Sequence, residues 1–457
     1  MFTKNHLNET ILLPKQTDRT TRFSIQKKNC GNITIVILVV VTILLWVTFP
    51  PAPNPENNFG RNYERQYIGE IFGSVVIVLM SCSLFLAARP KWAEPYFGGL
   101  DRMYISHRRC SEAAFLLLFG HILTISISPD PDGDLVPGRY VAYLAFSGIV
   151  TIVLVTIAPR ITFLNKLTGR SYQGWKKLHR YIGIFFILGN FHSHLIGSLA
   201  AGFLREWLDI FFYIGTGSYL YTEFLGRYLK KSIPYTVEAV NHHNNSITEI
   251  VMRPKKKAIS IQRPGQFLFV RFKEKGLDES HPFTISSAPQ EDAVRLTIKA
   301  SGDFTRHLFT NLKPGTEAII EGPYGMFNYK TGGPKQIWLA GGIGVTPFLS
   351  FFRDLKTNPL DRDVDFYYTV RHREEAVFVE EIEAAAKQHP RLKPHIHSSA
   401  TDGSLTIERI IDNAGGNIAD HHVYMCCPLP MKMAFETAFL EAGVLRQHIH
   451  FEEFNFR

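Results

Sequence analysis

Cysteine is scarce in this chain. Cys30, Cys82, Cys110, Cys426 and Cys427 are the five in 457 residues, and they make no repeated CxxC spacing. That excludes a disulfide-stapled secreted scaffold and a zinc ribbon, and it points the soluble part of the chain to a reducing compartment. Cys30, Cys82 and Cys110 lie in or beside apolar runs, where a thiol is a small buried hydrophobe. A cleavable leader is also missing: the first apolar run, Ile33–Phe49, is long for a signal-peptide core and reads as a retained anchor. The formal charge of +9 would suit nucleic acid, but the lysines and arginines cluster at the edges of apolar runs, which excludes nucleic acid as a partner and makes the lipid bilayer one.

Six stretches hold few charges: approximately 31–49, 68–88, 110–128, 139–158, 180–199 and 207–226. Each approaches the ~20 residues a helix needs to cross the hydrocarbon layer, and helices satisfy every backbone group internally. Basic residues crowd alternate loops. Lys4, Lys15, Arg19, Arg22, Lys27 and Lys28 precede the first run. Arg89, Lys91, Arg102, Arg108 and Arg109 follow the second, Arg160, Lys166, Arg170, Lys176 and Lys177 the fourth, and Arg227, Lys230 and Lys231 the sixth. The other loops are poor in Lys and Arg, and one carries Asp130, Asp132 and Asp134. The pattern predicts six spans in a plasma (inner) membrane with both termini cytoplasmic.

Spans three and five carry histidines at depths where polar side chains are costly and usually functional. His107 and His121 are 14 residues apart, and His179 and His192 are 13 apart. With both spans running outward, His121 and His192 lie ~20 Å beyond His107 and His179 at helical rise. Two level pairs result, each suited to grip one haem iron between facing imidazoles. Isolated buried histidines explain any one of these residues, but not four at matched depths. A zinc site lacks Cys or carboxylate companions. A 14-residue step returns near the same face, whereas 13 residues stop about 140° short of whole turns. Helical phase favours His194, while a local bulge restores His192. Phase leaves the two open.

From Ile233 the pattern changes to short alternating runs with Gly and Pro between them (TVEAV, QFLFVRF, RLTIKA, EAIIEG), which predicts a small antiparallel β-barrel over 233–330. Beyond Lys335, strand and helix patterns alternate to the end, predicting an α/β parallel-sheet domain over 335–457. The barrel contains His281-Pro282-Phe283-Thr284, followed by Ser287-Ala288-Pro289, then Lys299-Ala300-Ser301-Gly302-Asp303-Phe304-Thr305 and Gly322-Pro323-Tyr324-Gly325. An aromatic beside a hydroxyl suits a flavin ring and its polar edge. At the start of the α/β domain, Gly341-Gly342-Ile343-Gly344-Val345-Thr346-Pro347 joins a strand to a helix, the geometry that receives a pyrophosphate, although it is not a full GxGxxG. Arg371, His372 and Arg373 follow the next strand, where basic groups hold a 2′-phosphate and favour NADPH, with NADH the alternative.

The stretches Gly99–His121 (GLDRMYISHRRCSEAAFLLLFGH) and Trp175–His192 (WKKLHRYIGIFFILGNFH) resemble the haem-binding core of the ferric reductase and NADPH oxidase superfamily. The resemblance implies His107, His121, His179 and His192 as ligands of two b-type haems and makes His194 a neighbour. The HPFT and SAP motifs resemble the flavin domain of ferredoxin reductases. This implies FAD, with Phe283 and Thr284 at the isoalloxazine and His281, Pro282, Ser287, Lys299, Ser301 and Thr305 around it. By the same resemblance the loop with Gly341, Gly342, Gly344, Thr346 and Pro347 binds the nicotinamide nucleotide. Cys426 matches the family cysteine near the nicotinamide, and Phe456, with Phe454 next, covers the flavin face. Cys427 departs from the family's usual glycine, which puts close backbone approach there in question.

The whole reads as a multi-domain membrane protein: a polar segment 1–30, a six-helix transmembrane haem bundle over 31–229, the flavin barrel and the nucleotide domain. Its expected activity is electron transfer from cytoplasmic NADPH through FAD and two haems to a small-molecule or ionic acceptor outside, a ferric chelate or oxygen. The alternatives are donation to a quinone or a periplasmic protein, and a haem-less membrane anchor or sensor.

Overall fold

The computed structural model of the protein describes residues 18–53, 63–126, 137–157, 172–196, 198–226, 232–261 and 263–452. Helices follow the apolar runs: α1 (Asp18–Thr48), α2 (Tyr63–Ala87), the short α3 (Glu94–Phe97), α4 (Leu100–Ser126), α5 (Pro137–Ile157), α6 (Tyr172–His179), α7 (Ile182–Leu195) and α8 (Gly202–Leu220), which ends in a π turn over Tyr221–Leu225. Because α1 begins at Asp18, the second half of the polar segment extends the first helix.

Among the described residues, three helical stretches suffice by length and composition to cross a bilayer: Lys28–Thr48, Tyr63–Ala87 and Pro137–Thr156. The remaining expected spans fall on α4, α7 and α8, and their sequences explain the difference. α4 opens with Asp101, Arg102, Arg108, Arg109 and Glu112, α7 has 14 residues, and α8 carries Arg205, Glu206 and Asp209. α1 exposes Ile33, Val36, Ile37, Val40, Leu44 and Val47, an apolar face suited to lipid. Its other face is tied inward, with Trp46 Nε1 donating to Ser74 Oγ at 3.0 Å and Trp207 Nε1 to Thr42 Oγ1 at 3.0 Å. Such cross-helix bonds are stabilising where no water competes.

Six strands form one antiparallel sheet: β1 (Ile233–His242), β2 (Ile247–Pro254), β3 (Phe267–Phe272), β4 (His281–Thr284), β5 (Val294–Lys299) and β6 (Glu317–Tyr324), in the order β4-β3-β6-β1-β2-β5. A single bridge, Ile285 to Leu296, brings the two edges together and curls the sheet round a core that includes Tyr235, Leu268, Phe272 and Leu296. Helix α9 (Asp303–Asn311) lies between β5 and β6.

The rest is a parallel sheet of β7 (Lys335–Gly341), β8 (Asp363–Val370), β9 (Leu392–Ser398), β10 (His422–Cys426) and β11 (Ile449–Phe451), ordered β11-β10-β7-β8-β9. Helices α10 (Thr346–Asp354), α11 (Val379–Gln388), α12 (Ile407–Asn413) and α13 (Leu429–Glu441) cover it. Covered on both faces, β7 and β10 are buried almost end to end, which accounts for their unbroken apolar runs. The order reverses between β7 and β10, and the loops leaving their carboxyl ends part there. Open α/β sheets bind ligands in that crevice.

The segment between α2 and α4 joins the helical region to the barrel. Arg89 pairs with Glu321 at 3.5 Å, Lys91 Nζ donates to the Gly322 carbonyl at 2.8 Å, and the Glu94 carboxylate accepts the Gly325 N–H at 2.6 Å and the Leu100 N–H at 3.2 Å.

Candidate functional site

The four histidines singled out by sequence form two facing pairs. His107 and His179 have ring centroids 6.3 Å apart with planes at 83°, and His121 and His192 lie 6.1 Å apart at 71°. Two imidazoles on opposite sides of one metal ion, each bonded at ~2 Å, place their centroids about 6 Å apart, so both pairs have the spacing of a bis-imidazole iron site. α4 lies along α2 and α7 along α5, while α4 meets α6 through the His107–His179 rings and α7 through the His121–His192 rings rather than by close backbone packing.

Carbonyls fix the ring tautomers. His107 Nδ1 is 2.8 Å from the Ser83 carbonyl, with the Ser83 hydroxyl also at 2.8 Å, and His121 Nδ1 is 2.7 Å from the Gly69 carbonyl. His192 Nδ1 meets the Gly189 carbonyl. An Nδ1–H donated to a carbonyl leaves the Nε2 lone pair for a metal. His194 turns elsewhere, to Arg205 and Asp209. The 13-residue step closes through a tight turn at Arg180–Tyr181, not a bulge. Tyr181 and Ile184 make i→i−3 bonds there, at 3.0 Å each, which overwind the chain in the sense needed. Of the aromatics near the histidines, Phe185 packs on Gly148 and Phe186 on Gly215, while Phe115 and Phe119 meet edge to face at 5.0 Å.

β4 carries the second group. His281 stacks on Phe304 at 3.8 Å, and Phe283 lies parallel to Phe304 at 6.4 Å, giving an aromatic face at the barrel edge beside half-buried Pro282. Thr305 Oγ1 accepts the N–H groups of Ser301 (3.0 Å) and Gly302 (2.9 Å), which fixes the turn that opens α9. Lys299 reaches across to Glu375 of the α/β domain at 3.8 Å. Ser287 is fully buried: its hydroxyl accepts the Arg295 N–H at 3.1 Å, and its carbonyl accepts from Ser350 at 2.7 Å. Its side chain therefore works inside the fold.

The loop 341–347, which sequence assigns to the nucleotide, leaves β7 beside the end of β10. Gly342 takes φ +55°, and Thr346 and Pro347 open α10. Gly344 is required by contact: a Cβ there would lie 1.9 Å from the Cys426 carbonyl oxygen. A Cβ on Gly341 would meet Cys427 Cβ at 2.7 Å. So Cys427, despite replacing a glycine, is accommodated because the loop opposite supplies glycines. Arg371 and Arg373 are exposed beyond β8, with Arg373 donating to the Ile396 carbonyl at 3.1 Å.

The groups converge where barrel, α/β domain and α4 meet. Thr284 Oγ1 is 3.5 Å from Glu452 Oε2, just past β11. Burial first, then the Glu452 charge, pushes the Cys426 thiol well above its usual range, so it is protonated at neutral pH. Burial and then the Asp101 charge push the Glu452 carboxyl up as well. Lys28, Asp101 and Arg102 line a small cavity with His450, Phe451 and Glu452. Beside it, His422 Nδ1 and His450 Nε2 are 3.0 Å apart, and burial, then the His448 charge, lowers His422 to about 4.

Phe454 and Phe456 lie outside the described residues, as do Asp130, Asp132 and Asp134. Sequence reasoning missed Ser83, Glu94 and Glu452. The first two contribute through contacts with distant segments. Glu452 had a signal, an acid directly after the short strand Ile449–Phe451.

Fold and site define a membrane-type helical domain fused to a ferredoxin reductase-like pair of FAD and NAD domains. Three family descriptions match in chain order: ferric reductase like transmembrane component (72–189), FAD-binding domain (232–328) and oxidoreductase NAD-binding domain (338–437). A superoxide-generating NADPH oxidase heavy chain of Dictyostelium discoideum is 28% identical over 270 residues, 52% of this chain and 50% of that protein. NADPH oxidase 1 of Mus musculus is 29% identical over 173 residues, 36% of this chain and 27% of that one. Among solved structures, a flavohemoglobin from Malassezia yamatoensis aligns with TM-score 0.49 and 18% identity over 86% of this chain and 99% of that one. The chain spans about half the length of the curated relatives it matches. Its helical region thus matches the ferric reductase-like transmembrane family, and its two soluble domains match FAD-binding and oxidoreductase NAD-binding families.

Proposed function

We propose that this protein carries electrons from cytoplasmic NADPH, through FAD and two b-type haems, to an acceptor on the far side of the membrane, a ferric chelate or oxygen giving superoxide. The observation that carries the reading is the two imidazole pairs, one at each level, with centroids 6.3 and 6.1 Å apart, on helices that meet through those rings. When bound, FAD would supply hydride uptake and one-electron release, and haem iron held by the histidines would supply one-electron relay.

The chain's part is to hold and align. His107 with His179 forms the inner site, and His121 with His192 the outer. Ser83, Gly69 and Gly189 orient three of these rings through Nδ1. Pro282, Phe283 and Thr284 present the flavin face, and His281, Lys299, Ser301 and Thr305 surround its ribityl and phosphate end. Gly341, Gly342, Gly344, Thr346 and Pro347 receive the pyrophosphate, and Arg371 and Arg373 the 2′-phosphate. Cys426, kept protonated, lies beside the nicotinamide. Phe456 shields the flavin until nucleotide arrives. Six spans with cytoplasmic termini follow from the basic loops. The link from Glu94 to Gly325 sets the flavin cradle at the foot of α4, which also carries His107.

The purified protein, supplied with NADPH, should reduce ferric chelate or consume oxygen. Superoxide dismutase added to a chelate assay separates the two: direct ferric reduction persists, and reduction by way of superoxide disappears. No turnover of either acceptor, with the flavin and haem sites filled, would sink the proposal.

A further inference from the structure

Helix α10 is nine residues long, and all nine are buried. Its first residues, Thr346 and Pro347, end the nucleotide loop. Its far half is fastened to the segment that follows the flavin motif. Ser350 Oγ donates to the Ser287 carbonyl at 2.7 Å, Arg353 donates to the Ser286 carbonyl at 3.0 Å, and Asp354 accepts from Gln290 at 2.8 Å. One rigid strut thus spans from nucleotide cradle to flavin strand.

Arg353 is the centre of this fastening. It is 7% exposed, yet it holds Glu381 of α11 through two bonds (3.0 and 2.9 Å) and Glu249 of β2 at 2.9 Å. Its guanidinium also lies 5.4 Å from the ring centroid of Phe378, which meets His243 of the barrel at 4.2 Å with the ring planes tilted by 51°. Phe378 sits at φ +61°, a strained conformation for a bulky residue, held by its surroundings. Around these groups the two domains leave a cleft of about 580 Å³ that includes Glu249, Arg295, Arg353, Lys356 and Glu381. On this side, then, discrete polar contacts fix one domain on the other beside the apolar contact that Ile247 of β2 makes with the α/β core. A planar five-donor fork suits that task, and a lysine ammonium does not.

We infer that Arg353 is a positioning residue for hydride transfer: it sets the distance between the nicotinamide, held by the loop that opens α10, and the flavin, held by the strand before Ser286. The inference rests on the proposed reduction of flavin by nicotinamide. Arg353 touches neither group. It acts through Ser286 and the two carboxylates, and a misplacement near 1 Å lowers such a rate by orders of magnitude.

Two variants of the full holoprotein test it. Arg353→Lys keeps the charge and loses the fork. Arg353→Met combined with Glu249→Gln and Glu381→Gln removes the charges together, so no buried ion is left unpaired. Each is mixed anaerobically with NADPH while flavin absorbance is followed. FAD content, NADP+ affinity and the long-wavelength nicotinamide–flavin charge-transfer band are measured alongside. The expected result is bleaching slowed about tenfold or more with a weakened band, while FAD content and NADP+ affinity stay within about twofold. Bleaching and band at wild-type level in both variants would overturn the inference. So would a parallel loss of FAD or NADP+ binding in both, which makes Arg353 a brace for the fold. If the wild-type flavin is not reduced by NADPH or NADH at all, the functional reading fails first, before any variant is compared.

Discussion

Two glycines of the nucleotide loop are constrained by different physics, and the difference is measurable. At Gly344 a Cβ would lie 1.9 Å from the Cys426 carbonyl oxygen and 2.6 Å from its carbon. Ordinary contact needs about 3.2 Å, so Gly344→Ala demands a displacement of about 1.3 Å, a severe form of overpacking. Cys426 cannot yield, because β10 lies between β11 and β7 and the residue is 2% exposed. The loop must move instead, and it takes the pyrophosphate cradle with it. A cost of about 3 kcal/mol, the upper part of the overpacking range, corresponds to a roughly 100-fold rise in the Kd for NADP+. At Gly342 an added Cβ meets nothing within 4 Å, and the constraint is the φ of +55°. Gly342→Ala should therefore cost about 1–2 kcal/mol, and Gly342→Asn less, since asparagine tolerates that conformation. Calorimetric titration of the purified holoprotein with NADP+, with FAD content as control, reads both effects. A Gly344→Ala protein that binds NADP+ within about threefold of wild type would refute the contact argument. So would Gly342→Asn proving as damaging as Gly344→Ala.

Replacing Arg371 and Arg373 together with alanine should weaken NADPH by about tenfold or more and leave NADH nearly unchanged, measured as the ratio of kcat/KM values. His194→Ala should retain both haems, whereas His192→Ala should lose the outer one, read from haem per chain. His422 supplies a pH test. Its folded value of about 4 lies below the ordinary 6.5, so between those values the unfolded chain binds more protons. Stability therefore falls as pH drops from about 6.5 to about 4, by up to about 2 kcal/mol once partial solvent screening is allowed for. His422→Gln should flatten the fall in Tm over that window, and an unchanged slope would count against burial of a neutral imidazole there.

Much of this was legible from spacing and composition. The two soluble sheets appear where short alternating runs give way to strand–helix repeats, and the two histidine levels follow from spacing, with His192 taken over His194 by resemblance. Hydropathy finds the helices but not all of them as spans, because α4 and α8 carry charges near their ends and α7 is short. The choice between His192 and His194 could not be made from helical phase, since phase assumes an unbroken helix and the chain tightens at Arg180–Tyr181. Cys427 looked incompatible with close approach because the compensating Gly341 lies 86 positions earlier. Glu94 on Gly325 and Arg353 on Glu249 leave no trace in sequence for the same reason: pairing across distant segments has no period.

The two imidazole pairs carry the proposed electron path, and haem stoichiometry under anaerobic NADPH tests them most directly. The wild-type protein should hold two haems per chain, both reduced by NADPH, and alanine at His107 or His179 should remove the inner haem and stop reduction of the outer one. Wild-type haem content and reduction in either alanine variant would contradict it.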